Sequence, residues 1–287
     1  MLSRFAPSPT GLLHLGHAYA ALVAEEWAVR GGGRSLLRFE DIDRTRVRAE
    51  YYDAVIEDLS WLGLTYPDEP WKQLERLPAY EAALETLKER GVVYPCFCTR
   101  REIEVELSGL TSAPQGPEGP LYPGTCRNLS PDQVDAALEQ GREPAWRINA
   151  SIAADLVGSP TFSDQRFGEI VVDPLLLGDA VLARRDIGTS YHLAVVVDDA
   201  AQSITHVTRG EDLLASTHLH RVLQLLLGLP LPIYLHHPLV TDEAGRRLAK
   251  RDDARSIRSY RESGLSPSDI RAMLPELPRF TPWPIDS

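Results

Sequence analysis

His14 and His17 stand three residues apart, behind the segment Arg4-Phe5-Ala6-Pro7-Ser8-Pro9-Thr10-Gly11 and ahead of an Ala-rich run from Ala18 to Val29. A short extended segment therefore passes through a Pro/Gly turn into a predicted helix whose first turn carries both rings. Side chains three apart share one helix face. Free backbone N–H groups and the positive end of the helix dipole gather at the same place, which suits a bound phosphate. Gly16 removes a side chain where a flat ring could press against the backbone. Taken together the parts read as a nucleotide-phosphate site, although each alone would pass for surface helix or plain loop.

Three cysteines, Cys96, Cys98 and Cys126, are the next chemical candidates. An odd number, with no secretion signal, argues against a disulfide framework. Two thiolates one residue apart, with a third nearby, suit a tetrahedral Zn²⁺. A fourth ligand is not obvious, because no histidine falls between His17 and His192; three buried free thiols are the alternative. Near the other end lies the basic run Gly245-Arg246-Arg247-Leu248-Ala249-Lys250-Arg251. Only Lys72, Lys88 and Lys250 are lysines, so Lys250 draws attention within it. A solvated basic loop is the plain alternative, as it is for Arg44, Arg46 and Arg48.

These residues need a scaffold. The pattern predicts strand, turn and helix over about 2–31, ended by Gly31-Gly32-Gly33. A second strand, Ser35 to Phe39, runs into the acidic cluster Glu40-Asp41-Ile42-Asp43. Helices are expected near 48–62 and 74–90. Tyr191 to Asp199 reads as a buried helix or strand, Ile204 to Thr208 as a strand, and His218 to Leu227 as a helix. Alternating strands and helices imply an α/β fold with a doubly wound, Rossmann-like parallel sheet, in which ligands sit at the carboxyl ends of strands. Texture changes between Val92 and Arg185, where all three cysteines and a Pro/Gly-rich stretch fall. The expected organisation is a first catalytic half over 1–91, an inserted zinc-binding subdomain over 92–185, a second half over 186–255, and a short helical tail over 256–287.

The chain has 287 residues, 43% hydrophobic and 25% charged, with a formal net charge of −11. That balance is ordinary for a globular protein, and it disfavours non-specific nucleic-acid binding while leaving room for a local basic groove. No apolar run approaches the length of about 20 residues that spans a bilayer, and no signal peptide is visible. A cytoplasmic protein with no membrane contact and no obligate protein partner is the expectation.

The segment Arg4 to His17 resembles the phosphate-binding signature of class I aminoacyl-tRNA synthetases, in the form used by the glutamyl and glutaminyl group. Three further segments, in the right order, carry the same resemblance. Arg247-Leu248-Ala249-Lys250-Arg251 looks like a diverged form of the mobile Lys-Met-Ser-Lys-Ser loop, with Lys250 at the second lysine and Ala249 replacing the serine. Tyr191 to Asp199, followed by Ile204 to Asp212, resembles the second half of the glutamyl catalytic domain. Cys96-x-Cys98 with Tyr122-x-x-x-Cys126 is similar to the metal site of the glutamyl-Q tRNA(Asp) synthetase group, where a tyrosine completes the set.

The resemblance implies that His14, Gly16, His17 and Lys250 meet ATP, with Mg²⁺ on its phosphates and His14, His17 and Lys250 as the catalytic set. It implies a glutamate pocket of Arg4, Phe5, Ala6, Pro7, Ser8, Glu40, Tyr191 and Arg209. An arginine fork suits a carboxylate, and Glu40 suits the ammonium. Asp198 and Asp199 are left outside the expected site. One structural Zn²⁺ on Cys96, Cys98, Tyr122 and Cys126 is implied. The stretch after Lys250 is too short for an anticodon-binding region, so the implied reaction is glutamate activation and transfer to the queuosine base at the wobble position of tRNA(Asp), whose anticodon arm enters the cleft. A truncated enzyme charging a tRNA 3′ end and a non-catalytic zinc-containing RNA-binding module are the rival expectations.

Overall fold

A computed structural model of the chain describes residues 1–109, 115–117, 119–241 and 255–279. The chain opens with β1 (Leu2–Phe5), α1 (Leu15–Arg30), β2 (Arg34–Phe39), α2 (Ala49–Trp61), β3 (Trp71–Lys72) and α3 (Leu77–Glu89). The middle holds β4 (Val93–Cys96), α4 (Arg100–Gly109), β5 (Gln115–Gly116), β6 (Gly119–Pro120), α5 (Pro131–Glu139), β7 (Ala145–Ile148), α6 (Ala150–Val157), β8 (Thr161–Asp164), β9 (Gly168–Val171) and β10 (Val181–Ala183). It closes with α7 (Tyr191–Ala201), β11 (His206–Gly210), α8 (Leu214–Leu227), β12 (Ile233–His237), α9 (Ile257–Glu262) and α10 (Pro267–Met273).

β1, β2 and β3 are parallel neighbours, as are β11, β12 and β8. Thr205 N donates to Leu2 O at 3.0 Å, and Leu2 N donates to Thr205 Oγ1, which joins the start of β1 to the approach of β11. The order therefore reverses between β1 and β11, the place where a doubly wound sheet opens a crevice at its carboxyl ends. The Rossmann-like expectation holds.

Strand alternation explains the two layers. Phe5, Leu37 and Phe39 point to a core shared with α1, α2 and the tail residues Ile257 and Ile270. Leu2 and Leu36 pack on the opposite core, built from α3, α7 and α8. Arg4 and Arg38 follow the same alternation to the α7 side. On α1, Ala18, Ala21, Ala24 and Ala28 are fully buried, and these small side chains let the helix lie close against the strands. The turn after α1 has its own requirement: a Cβ on Gly33 would fall 1.7 Å from Met1 O.

β4, β7 and β10 form a separate antiparallel sheet. The hairpin of β8 and β9 lies inside the stretch expected to be an insert, yet β8 pairs with β12 at Tyr234↔Asp164. Residues 161–171 thus extend the sheet of β11 and β12, β8 running parallel to β12 and β9 antiparallel to β8, rather than the cysteine-bearing part. Among the described residues, no helix is long and apolar enough to cross a membrane.

Candidate active site

His14 occupies the N-cap of α1, and the two histidines form a capping box in place of the usual Ser and Glu. Gly16 N donates to His14 Nδ1 at 3.1 Å, and His14 N donates to His17 Nδ1 at 3.2 Å. Because each Nδ1 accepts, each ring carries its hydrogen on Nε2 and is a donor there. The ring centroids are 3.8 Å apart. The ring pressing on Gly16 is that of His14 itself.

Both rings line a cavity of about 600 Å³, the scale of a small-molecule site. Ser8, Thr10, Glu40, Asp43, Arg46, Arg184, Ser190, Tyr191 and His192 also line it. It opens where β1 and β2 end and α7 begins. The expected residues Ser8, His14, His17, Glu40 and Tyr191 are therefore brought together. Arg4, Phe5, Ala6, Pro7, Gly16 and Arg209 are not among its lining residues. Lys250 and the basic run around it fall outside the described residues; after that run, Ile257 N returns to Leu13 O at 2.8 Å, beside His14.

Arg4 departs from the expectation of a free fork. Its Nε and Nη2 donate to the two oxygens of Asp199 at 2.9 and 3.2 Å, and Nη1 donates to Thr208 O. Arg38, fully buried, donates to the same Asp199 at 2.8 Å and reaches Glu40 at 3.5 Å. Burial works against the Arg38 charge, but Asp199, Glu40 and Asp198 more than offset that and hold its pKa above the ordinary value. Asp198 accepts from Gln73, Arg76 and Tyr80. These two carboxylates are internal struts rather than a cap or a surface pair. Burial raises the Glu40 carboxyl above its ordinary range, with Arg38 and Arg4 pulling the other way. An arriving cation would favour its charged form.

Arg209 is buried, 6% exposed, and its partners are neutral: His236 Nε2 at 3.2 Å, His220 Nδ1 at 2.9 Å, Tyr191 Oη at 3.4 Å and Thr217 Oγ1. The neighbouring acid Glu211 is instead held by Arg166. Among the described residues no carboxylate holds this guanidinium, and a buried charge so placed is costly unless an anion arrives. Tyr191 Oη, which accepts from Arg209, stands between it and the cavity.

The thiol sulfurs of Cys96, Cys98 and Cys126 lie within 4.8 Å of one another. Tyr122 Oη is 3.4 Å from Cys96 Sγ and from Cys98 Sγ, and it accepts from Cys126 N at 2.9 Å. Cys98 Sγ is 3.4 Å from Cys126 Sγ. Thiolates on one tetrahedral Zn²⁺, with bonds near 2.3 Å, stand about 3.8 Å apart. The four donors thus fit one small cation, and Asn128 is not among them. Burial pushes the Cys98 thiol up to about 11, so a cation bound there would displace a proton.

The family model for class I tRNA synthetases (E and Q), catalytic domain, matches residues 1–278. The chain is 50% identical over 279 residues to a glutamyl-Q tRNA(Asp) synthetase of Rhodobacter capsulatus, covering 96% of this chain and 99% of that one. It is 43% identical to the glutamyl-Q tRNA(Asp) synthetase of Symbiobacterium thermophilum, covering 94% and 84%. The chain belongs to the glutamyl-Q tRNA(Asp) synthetase family. The synthetase is also similar to a crystal structure of a glutamate tRNA ligase from Elizabethkingia meningosepticum in complex with its amino acid, at a TM-score of 0.76 and 28% identity. That likeness covers 93% of the synthetase but only 58% of the ligase chain. Sequence reasoning missed Ser190 and His192 on the cavity wall, although both adjoin Tyr191, which it singled out.

Proposed function

We propose that this synthetase activates L-glutamate with ATP and transfers the glutamyl group to the queuosine base of tRNA(Asp). In the first step an oxygen of the glutamate α-carboxylate attacks the α-phosphorus of ATP. The bond from that phosphorus to pyrophosphate breaks, leaving glutamyl-adenylate. No covalent nucleophile on the protein is required; positioning and charge stabilisation carry the step.

The observation that carries this reading is Arg209, a buried cation whose partners among the described residues are neutral, behind a cavity whose wall holds Tyr191 and Glu40. That set suits a substrate with a carboxylate at one end and an ammonium group near Glu40. His14 and His17 supply Nε2–H donors to phosphate, and Lys250 adds a cation in the same role, with Mg²⁺ accompanying ATP. Arg4 acts through Asp199, holding the floor of the pocket. Phe5, Ala6 and Pro7 shape the strand end that leads to Ser8, and Gly16 leaves room for the His14 ring. Cys96, Cys98, Tyr122 and Cys126 would hold one structural Zn²⁺. The anticodon arm of tRNA(Asp) enters over a rim that includes Arg46 and Arg184, in the cytoplasm where these substrates meet.

The test is transfer of labelled glutamate to purified tRNA(Asp), with and without queuosine, beside tRNA(Glu). Labelling of the queuosine-containing tRNA(Asp) alone is expected. Labelling of tRNA(Glu) would make this a minimal charging enzyme, and labelling of none would leave a non-catalytic module.

A further inference from the structure

Behind the cavity runs a line of buried polar groups in which each hydrogen has one possible place. Asp164, at the end of β8, accepts from the backbone N–H groups of Arg166 and Phe167 on one oxygen. Its other oxygen accepts from His236 N at 3.1 Å and His236 Nδ1 at 2.6 Å. The hydrogen of His236 is therefore on Nδ1, and its Nε2 accepts from Arg209 Nε at 3.2 Å. A guanidinium has donors and no acceptor. Its Nη1, 2.9 Å from His220 Nδ1, must donate there. That places the hydrogen of His220 on Nε2, which lies 3.1 Å from His192 Nδ1. His192 Nδ1 thus accepts, and the hydrogen of His192 stands on Nε2. His192 lines the cavity beside Tyr191, their ring centroids 5.5 Å apart.

A free imidazole exchanges its two tautomers, so it serves as donor or acceptor as the ligand demands. Here one guanidinium sets the rings in series and removes that choice. We propose that His192 is a specificity-determining residue of the amino-acid pocket, whose Nε2–H, locked as a donor by the Arg209–His220 relay, hydrogen-bonds the substrate carboxylate that Tyr191 and Arg209 receive. This rests on the glutamate reading above. A second observation on the same wall points the same way. Ser190 is 7% exposed, and its hydroxyl has no hydrogen-bond partner among the described residues although it sits at the N-cap of α7. A buried hydroxyl without a partner is costly, and a carboxylate oxygen in the cavity would supply one. Burial and the nearby Arg209 lower His192 to about 4, so it donates without adding a second positive charge beside Arg209.

The experiment measures glutamate-dependent ATP–pyrophosphate exchange in wild type, His192→Phe and His192→Gln. Phenylalanine keeps a ring and loses the N–H; glutamine returns an N–H at similar reach. A hydrogen bond to a charged group corresponds to about a ten- to hundredfold change in affinity. His192→Phe is expected to raise the glutamate KM by that factor, with kcat and the ATP KM within about threefold of wild type. His192→Gln is expected to recover most of the loss. An unchanged glutamate KM in His192→Phe would overturn the inference while the wild-type exchange keeps the glutamate reading standing. Wild-type protein that activates no glutamate would remove both. A ¹⁵N-histidine spectrum of the wild-type protein is expected to show His192 and His220 protonated on Nε2 and His236 on Nδ1; the opposite tautomer at His192 would overturn the inference whatever the variants do.

Discussion

A methyl group on residue 16 would sit 3.0 Å from Cε1 and 3.1 Å from Nδ1 of His14. The backbone there is ordinary helix, so alanine would gain about 1 kcal/mol of helix propensity. Against that gain the His14 ring must move and weaken its hydrogen bond from Gly16 N. Stability and activity should therefore separate. Gly16→Ala is expected to melt within about 3 °C of wild type while adenylate formation falls about tenfold or more. Pyrophosphate exchange at the wild-type rate would show that the His14 ring position does not matter to the reaction. The same residue scale shows where sequence reading stops. Arg4 and Arg209 look alike as forks for a carboxylate. Arg4 is already taken by Asp199, which lies 195 positions along the chain, whereas among the described residues Arg209 hydrogen-bonds rings and hydroxyls. Spacing along a chain carries no information about such distant partners.

At the scale of elements, the opening strand–turn–helix was legible because the turn residues, the caps and the hydrophobic runs all agree. Tyr191 to Asp199 was ambiguous between helix and strand, and it is a helix, α7. It is buried on most of its circumference, through Leu193, Ala194, Val195, Val196 and Asp198, so the polar stripe that marks an amphipathic helix is absent. The β8–β9 hairpin was invisible as part of the sheet of β11 and β12, since its pairing with β12 spans a long stretch of chain. The cysteine group could be read because its members lie close in sequence. It is assembled from the end of β4 and from the loop before α5, and a cation there would tie these pieces together. Cys98→Ser replaces a thiol that stands 3.4 Å from both Tyr122 Oη and Cys126 Sγ. Elemental analysis is expected to fall from about one zinc per chain to a small fraction of that, with residues 92–130 becoming sensitive to limited proteolysis. A full equivalent of zinc in the variant would remove Cys98 from the ligand set.

For the whole molecule the histidines decide the response to acid. Six of the eight, His192, His206, His218, His220, His236 and His237, are held below their ordinary value, in each case chiefly by burial. His192, His206 and His236 are lowered to about 4. Above about pH 6.5 the folded and unfolded chains both carry these rings neutral, and no penalty arises. Between about pH 6.5 and 4 the unfolded chain binds protons that the folded chain refuses, so stability falls with pH. Each such ring adds a slope of up to about 1.4 kcal/mol per pH unit. Three carboxyls oppose this: burial raises Asp58 to about 6 and raises Glu25 and Glu40 as well, so each binds its proton more readily when folded. Six rings outweigh three carboxyls. Below about pH 4 the protonation of Asp164 and Asp199, both held low by their partners despite burial, continues the loss. The urea midpoint is therefore expected to drop steadily from pH 7 to pH 4.5. The same drop should persist in Cys98→Ser, because it arises in the buried histidines and not in the cysteine group. A midpoint that stays flat over that range would mean the rings take up protons while folded, and the Arg209–His220–His192 line could not then hold its hydrogens in one place.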